Sequence, residues 1–305
     1  MKIQVQRGLI VCALAALGSV IAGGRAEAQI VCDLINNSTC PAINGGLFYT
    51  DEQHPTGTGF IDSFLRVQQN YWEQGFNTSY RPLDQELGYP DGNHSKTDPN
   101  FTRDLLTSEM GTKVINGNTY FEFFLDINEP AARSPTPKDY ITLDQLEIFV
   151  SDTASLWDYT NGGTPNSGST GSLAGAKKIY DLDNGGDNYV QLDYLVTGEG
   201  SGSSDMVFYL DTDLFKKSGN GNGGSYYKYI YLFSQFGDMT CVLVGNRISC
   251  SDPNKWESQA GFEEWFRKSS VPPVDIQAVP EPTSLLLLGS GLGFAIRRVR
   301  KRRRV

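Results

Sequence analysis

The sequence predicts an all-β domain, an antiparallel sandwich of jelly-roll-like form, held between two terminal segments of different composition. Three observations carry that prediction. Short runs alternate between apolar and polar side chains with a period of two. Gly/Ser/Asn-rich stretches separate them. Helical periodicity is scarce, and residues 262–266 are the one place where a short helical turn is expected.

Residues 1–28 open with Lys2 and Arg7, continue through the apolar run 9–22, and end on Ala26-Glu27-Ala28. Charge, apolar stretch and small residues in that order are what a signal peptidase reads, with cleavage expected after Ala28. A buried N-terminal helix would give no reason for the Ala-x-Ala spacing.

The domain, residues 29–278, follows. Its cysteines come first, because an exported chain meets an oxidising compartment. Cys12 leaves with the signal, and Cys32, Cys40, Cys241 and Cys250 remain. Four cysteines allow three pairings. The segment Val242-Leu243-Val244, Gly245-Asn246, Arg247-Ile248-Ser249 reads as a hairpin with a two-residue turn. Counting outward sets Val244 opposite Arg247 and brings Cys241 opposite Cys250, at a non-hydrogen-bonded position about 4.5 Å across, within disulfide reach. Cys32–Cys40 is the second bridge by elimination. A metal site is the rival, but neither pair has zinc-like spacing or a nearby His.

A first strand is expected at residues 60–67, although the Pro/Asn/Asp-rich segment 50–118 is otherwise hard to place. Phe121, Phe123, Leu125 and Ile127 alternate with Glu122, Phe124 and Asp126. Residues 146–150 and 190–194 repeat the pattern, and residues 206–210 and 226–233 are denser apolar runs. Residues 161–175, 197–204 and 218–225 are expected loops. Tyr227, Tyr229, Tyr231 and Phe233 share one strand face. Exposed, they would stack on sugar rings, but large apolar side chains are mostly interior, so core is the favoured reading.

The turn Asp181-Leu182-Asp183-Asn184-Gly185-Gly186-Asp187 places carboxylates in a Gly-bent loop. Asp181, Asp183 and Asp187 supply the hard oxygen ligands that Ca²⁺ takes. The EF-hand pattern fails, since Gly185 stands at a ligand position and no Glu closes the loop. A solvated acidic turn is therefore the stronger reading, with Ca²⁺ the sharper binding hypothesis.

Charge narrows the function classes. Of 26 Lys+Arg and 35 Asp+Glu in the chain, 16 basic and 33 acidic residues fall within 29–280, a net charge of −17 for that segment. Such a surface disfavours nucleic acid and anionic membranes. No Gly-x-Ser-x-Gly elbow, His-Glu-x-x-His helix or phosphate-cradling glycine loop is present, and the two histidines, His54 and His94, sit among Pro, Asn and Gly. No catalytic residue is assigned, and a non-enzymatic protein is expected.

Residues 279–305 close the chain. Val279-Pro280-Glu281-Pro282 precedes the apolar stretch 283–296 and a cluster of seven basic residues from Arg297 to Arg304. The stretch is shorter than the roughly 20 residues that span a bilayer comfortably. Basic residues after it stay on the cytoplasmic side, which leaves the domain across the membrane on a temporary inner-membrane anchor. This order resembles the PEP-CTERM sorting signal, also catalogued as the ice-binding protein C-terminal domain. The resemblance implies removal of the tail near Pro-Glu-Pro by exosortase, a membrane-embedded cysteine protease. The mature protein then passes to the cell-envelope surface or the extracellular polysaccharide. The blocks at residues 57–68, 73–78, 123–128 and 261–265 resemble uncharacterised PEP-CTERM proteins, which implies no activity and transfers no site residues. The expected role is therefore a polysaccharide-associated or structural protein of the matrix, with a secreted hydrolase acting on the same polysaccharide as the alternative.

Overall fold

The computed structural model describes residues 29–50, 61–80, 98–130, 140–160, 171–195, 204–217, 224–238, 240, 242–244, 247–252, 254–259 and 261–268. The signal with Ala26 and Ala28, the sorting segment with Val279, Pro280, Glu281 and Pro282, and Cys241 lie outside them.

Strands dominate. In chain order they are β1 (Val31–Asp33), β2 (Leu47–Thr50), β3 (Ile61–Val67), β4 (Asn70–Tyr71), β5 (Glu73–Phe76) and β6 (Leu105–Leu106). Next come β7 (Thr112–Ile115), β8 (Asn118–Asp126), β9 (Tyr140–Ser151), β10 (Tyr159–Thr160), β11 (Ser172–Leu173), β12 (Lys177–Asp181) and β13 (Tyr189–Asp193). Last are β14 (Met206–Asp211), β15 (Tyr229–Phe236), β16 (Val242–Val244), β17 (Arg247–Ser249), β18 (Ser258–Gln259) and β19 (Glu263–Lys268). Among the described residues, helix is limited to two 3₁₀ turns, Thr107–Glu109 and Thr212–Phe215. None of it is long and apolar enough to cross a membrane.

Two sheets form the expected sandwich. The larger has seven strands in the order β1-β13-β9-β15-β5, with β12 on β9 and β6 on β15. The smaller has six in the order β2-β14-β8-β19-β3, with β7 on β8. Pairing is antiparallel except for β1, which runs parallel to β13 from Val31↔Tyr189 to Asp33↔Gln191.

Period-two alternation decides what lies between the sheets. Leu143, Leu146, Ile148 and Val150 of β9 join Ile230 and Leu232 of β15 in one buried cluster with Phe123 and Leu125 of β8, Phe208 of β14 and Trp265 of β19. Trp265 is completely buried, and its indole Nε1–H donates to Ser234 Oγ of β15 at 3.0 Å, a polar link between the sheets. Each large side chain buried here contributes roughly 1.5–3 kcal/mol by leaving water.

Both outer faces are covered as well. On the larger sheet, Phe76, Phe149, Tyr231 and Phe233 pack with Tyr159 and Leu173 of the β10–β11 pair. On the smaller, Phe124, Val207, Tyr209 and Phe266 form a third cluster. The aromatic run of β15 is thus core and not an open sugar platform, since Tyr231 and Phe233 are buried. It does not share a single face, however. Tyr227 precedes the strand and packs against the inter-sheet cluster, whereas Tyr229 joins the outer one.

Other expectations need correction. Residues 262–266 are not a helical turn, because β19 begins at Glu263. Trp265 points inward opposite Leu125 and Leu65, while Glu264 and Phe266 face outward. The strand near 60–67 is present as β3, but β1 and β2 precede it. The segment 161–175 is not loop throughout, since it includes β11.

The cysteines follow their predicted geometry where the structure describes them. Cys32 and Cys40 are bridged, their Cα atoms 5.3 Å apart. Hairpin β16–β17 has the predicted register, Val242↔Ser249, Leu243↔Ile248 and Val244↔Arg247. Cys250 is disulfide-bonded. Cys32 is fully buried in the inter-sheet cluster, so the bridge pins the loop after β1 to the core. Replacing both Cys32 and Cys40 by Ala is expected to lower unfolding free energy by about 2–3 kcal/mol, as closure of a short loop implies. Urea unfolding of the two proteins under non-reducing conditions measures it.

Candidate functional site

Strand β9 organises the outer face of the larger sheet. Its register with β15 steps from Gln145↔Gln235 to Leu143↔Phe236, which leaves Asp144 as the extra residue of a β-bulge. The bulge aims an acidic side chain where a regular strand would not. Thr142, Gln145 and Glu147 stand on the same outer side, and all are buried.

Buried carboxylates must be matched by hydrogen bonds or charge. Glu147 Oε1 accepts from Lys178 Nζ at 2.7 Å and from the Gly171 backbone N–H at 2.6 Å, and Oε2 accepts from the Tyr159 hydroxyl at 3.0 Å. A side chain at Gly171 would collide with that hydroxyl, so only glycine permits the approach. Lys178 Nζ also donates to Asp181 Oδ2 at 2.9 Å. Burial raises the Glu147 carboxyl above its ordinary range, and Lys178 offsets only part of this.

The acidic turn lies beside this group. Gly185 takes φ +95°, the left-handed bend its sequence suggests. Asp181 Oδ1 accepts from the Asp183 backbone N–H at 3.0 Å, and Asp183 Oδ1 accepts from the Asn188 backbone N–H at 3.0 Å. Asn44 Nδ2 caps the turn from outside through the carbonyls of Asp181 and Leu182, both at 2.9 Å. Burial pushes Asp183 up to about 8, and the neighbouring Asp187 adds to it. Asp187 Oδ1 accepts from Lys255 Nζ at 3.0 Å. The three aspartates are therefore in one turn, yet each turns to a different protein donor. Among the described residues, no three His, Cys, Asp or Glu side chains are placed to hold a metal ion.

Lys255 is the centre of a second group. Its side chain is fully buried, and Nζ pairs with Asp144 Oδ1 at 2.9 Å as well as with Asp187. The Tyr189 ring lies 4.9 Å from Nζ, and the adjacent Trp256 packs edge-on against Tyr140 at 5.2 Å. Thr142 Oγ lies 3.1 Å from both Asp144 Oδ2 and the Trp256 carbonyl. Burial pushes Asp144 up to about 7 against the pull of Lys255. For Lys255 burial works the other way, but Asp144 and Asp187 outweigh it and hold the ammonium above its ordinary value.

A solvent-facing feature sits at the other end of β9. Trp157 is 48 % exposed, and its ring stacks on Tyr80 with centroids 5.3 Å apart and planes 17° from parallel. Two loops supply these rings, and Asp104 ties the loops together. Its Oδ1 accepts from the Ser79 N–H at 2.9 Å and its Oδ2 from the Ser155 N–H at 2.9 Å. Thr78 Oγ1 donates to the Leu156 carbonyl at 2.7 Å, and the buried Tyr231 hydroxyl donates to the Thr153 carbonyl at 2.8 Å. Ser155 accepts φ +54° within this frame. Sequence pattern does not reveal this pair, because nothing local links residues 80 and 157; the link is Asp104.

Glu263 is a third kind of group. It lies opposite Val67 on the inward side of β19, completely buried. Among the described residues, neither carboxyl oxygen meets a donor at hydrogen-bonding geometry. Burial pushes it up to about 8, and the nearby backbone of Asn128 and of Glu263 itself offsets only part.

Comparison with known proteins adds the tail. Residues 278–302 match the PEP-CTERM protein-sorting motif, as the order of residues 279–305 predicts. The motif marks an exported protein that is sorted to the cell envelope and processed by exosortase. No curated protein and no solved structure matches the chain, so the likeness drawn for the middle has no counterpart there.

Glu263 gives a signed pH dependence. An unfolded glutamate loses its proton near pH ~4.3. The folded one keeps it until about 8, so between those values the folded state binds the extra proton and stability falls as pH rises. Glu263→Gln is expected to remove much of that fall. Urea titrations at about pH 5 and about pH 9 should show the variant gaining most at the higher pH.

Proposed function

We propose that the exported domain is a non-enzymatic, polysaccharide-associated protein of the cell surface or extracellular matrix, with the Tyr80–Trp157 pair as its contact to sugar. The observation that carries this reading is the pair itself: two near-parallel rings, one half-exposed, fixed in place by Asp104 rather than left on free loops. An aromatic face with a polar edge suits a pyranose ring, and a platform fixed in advance loses little entropy on binding. Asp158 beside it is exposed and available to accept sugar hydroxyls. The motif at 278–302 supports the compartment, since it implies export and sorting to the cell envelope.

The hydrolase alternative needs a carboxylic acid that stays protonated near neutrality and also reaches substrate. Asp144, Asp183 and Glu263 meet the first condition through burial, and the same burial denies them the second. Burial of these three carboxyls favours a binder over an enzyme.

Trp157→Ala is expected to weaken binding of the protein to the host's extracellular polysaccharide at least tenfold, which corresponds to about 1.4 kcal/mol, with thermal unfolding unchanged. Because the aromatic pair and not the acidic turn makes the contact, EDTA should leave wild-type binding intact. Sedimentation with the insoluble polymer, with and without EDTA, measures both. Undiminished binding by the Trp157 variant would overturn the assignment.

A further inference from the structure

The group around Lys255 is costly as an ion pair. A fully buried ammonium faces a buried carboxylate, and such pairs seldom recover the cost of leaving water. Nothing in the sugar-binding reading uses them. Their geometry, however, suits a bond.

We propose that Lys255 and Asp144 condense into an intramolecular isopeptide bond, joining Nζ to the Asp144 side-chain carbonyl carbon, with Asp187 as the proton carrier. Lys255 Nζ already touches Asp144 Oδ1 at 2.9 Å and Asp187 Oδ1 at 3.0 Å. Holding amine and carboxyl in contact gives the reaction the effective concentration of an intramolecular step. Water, the by-product, is kept scarce by the Tyr189 ring and the burial of both partners.

Hydrogen bonding identifies the leaving oxygen. Thr142 has one hydroxyl proton and two neighbours at 3.1 Å, the Trp256 carbonyl and Asp144 Oδ2. With Asp144 protonated, the Thr142 proton goes to the carbonyl, which can only accept. Asp144 Oδ2 is then satisfied by carrying a proton of its own and donating to Thr142 Oγ. Burial favours the same neutral carboxyl, pushing Asp144 up to about 7. Ammonium loss is the uphill step, because the Asp187 carboxylate, 3.0 Å from Nζ, favours the charged amine. Asp187, partly open to solvent, is placed to take that proton.

The step balances. The Asp187 carboxylate accepts one proton from the Lys255 ammonium. The freed amine attacks the carbonyl carbon of neutral Asp144, a C–N bond forms, and the C–Oδ2 bond breaks. Oδ2 leaves as water with its own proton and one from nitrogen. The products are a neutral amide, one water and protonated Asp187, which returns its proton to solvent. No electron is gained or lost, and no outside reagent is needed. The bond would fasten the centre of the larger sheet to the segment that leads into β18 and β19, which suits a protein exposed to the force and proteases outside a cell.

Peptide mapping of the purified full chain tests this. After reduction, which removes the cross-link at Cys250, trypsin should release residues 139–177 joined to residues 248–267 as one branched species, lighter than the two together by the mass of one water. Cleavage after Lys255 should be lost. Lys255→Arg keeps the positive charge but cannot condense this way, and should return 139–177 as a linear peptide. Asp187→Asn should lower the branched fraction severalfold in freshly made protein. Complete cleavage after Lys255 in the wild-type chain, giving linear 248–255 and 139–177, would overturn the proposal. An unchanged branched fraction in the Asp187 variant would overturn the role of that residue.

Discussion

Strand β9 is buried on both of its faces, and that constraint shapes most of the domain. A strand in a sandwich normally turns one face to water, where polar side chains need no partner. Here the outward side is covered, so Glu147 and the bulged Asp144 must each find a cation under cover. Lys178 comes from the neighbouring β12, and Lys255 comes from far along the chain. The β10–β11 pair and the acidic turn are held where they are partly by those contacts, through Tyr159 and Gly171 in one case and Asp187 in the other.

The period of two made the sandwich legible. Phe121, Phe123 and Leu125 point inward as their alternation requires, and the hairpin at 242–249 takes the register that its two-residue turn dictates. The alternation could not reveal a second buried face. Glu122, Phe124 and Asp126 read as the more polar side of β8, yet they too are buried. It failed outright at β19, where two adjacent glutamates hide the pattern and one of them, Glu263, points into the core. No local rule anticipates a carboxyl placed there, because its cost is borne by the surrounding fold.

The candidate sites divide in the same way. The acidic turn was visible because Asp181, Asp183 and Asp187 are close in sequence, but their donors were not. Lys178 stands three residues from Asp181, whereas Lys255 meets Asp187 only through tertiary packing. Tyr80 and Trp157 were invisible for a related reason, since Asp104 joins their loops from a third segment. The sorting segment was fully legible because it is read as linear sequence by other proteins, with no need for a fold. An exported chain with an address at one end thus carries a sandwich whose buried ionic layer ties distant segments together and whose rim holds a half-exposed aromatic pair.

The most direct test of the binder reading is to incubate the purified domain with the host's extracellular polysaccharide and measure bound protein and new reducing ends in the same sample. Bound protein with no increase in reducing ends over the polymer alone is the expected result. Reducing ends that accumulate with time and protein concentration would contradict it, and would mean that one of the buried carboxyl groups reaches substrate after all.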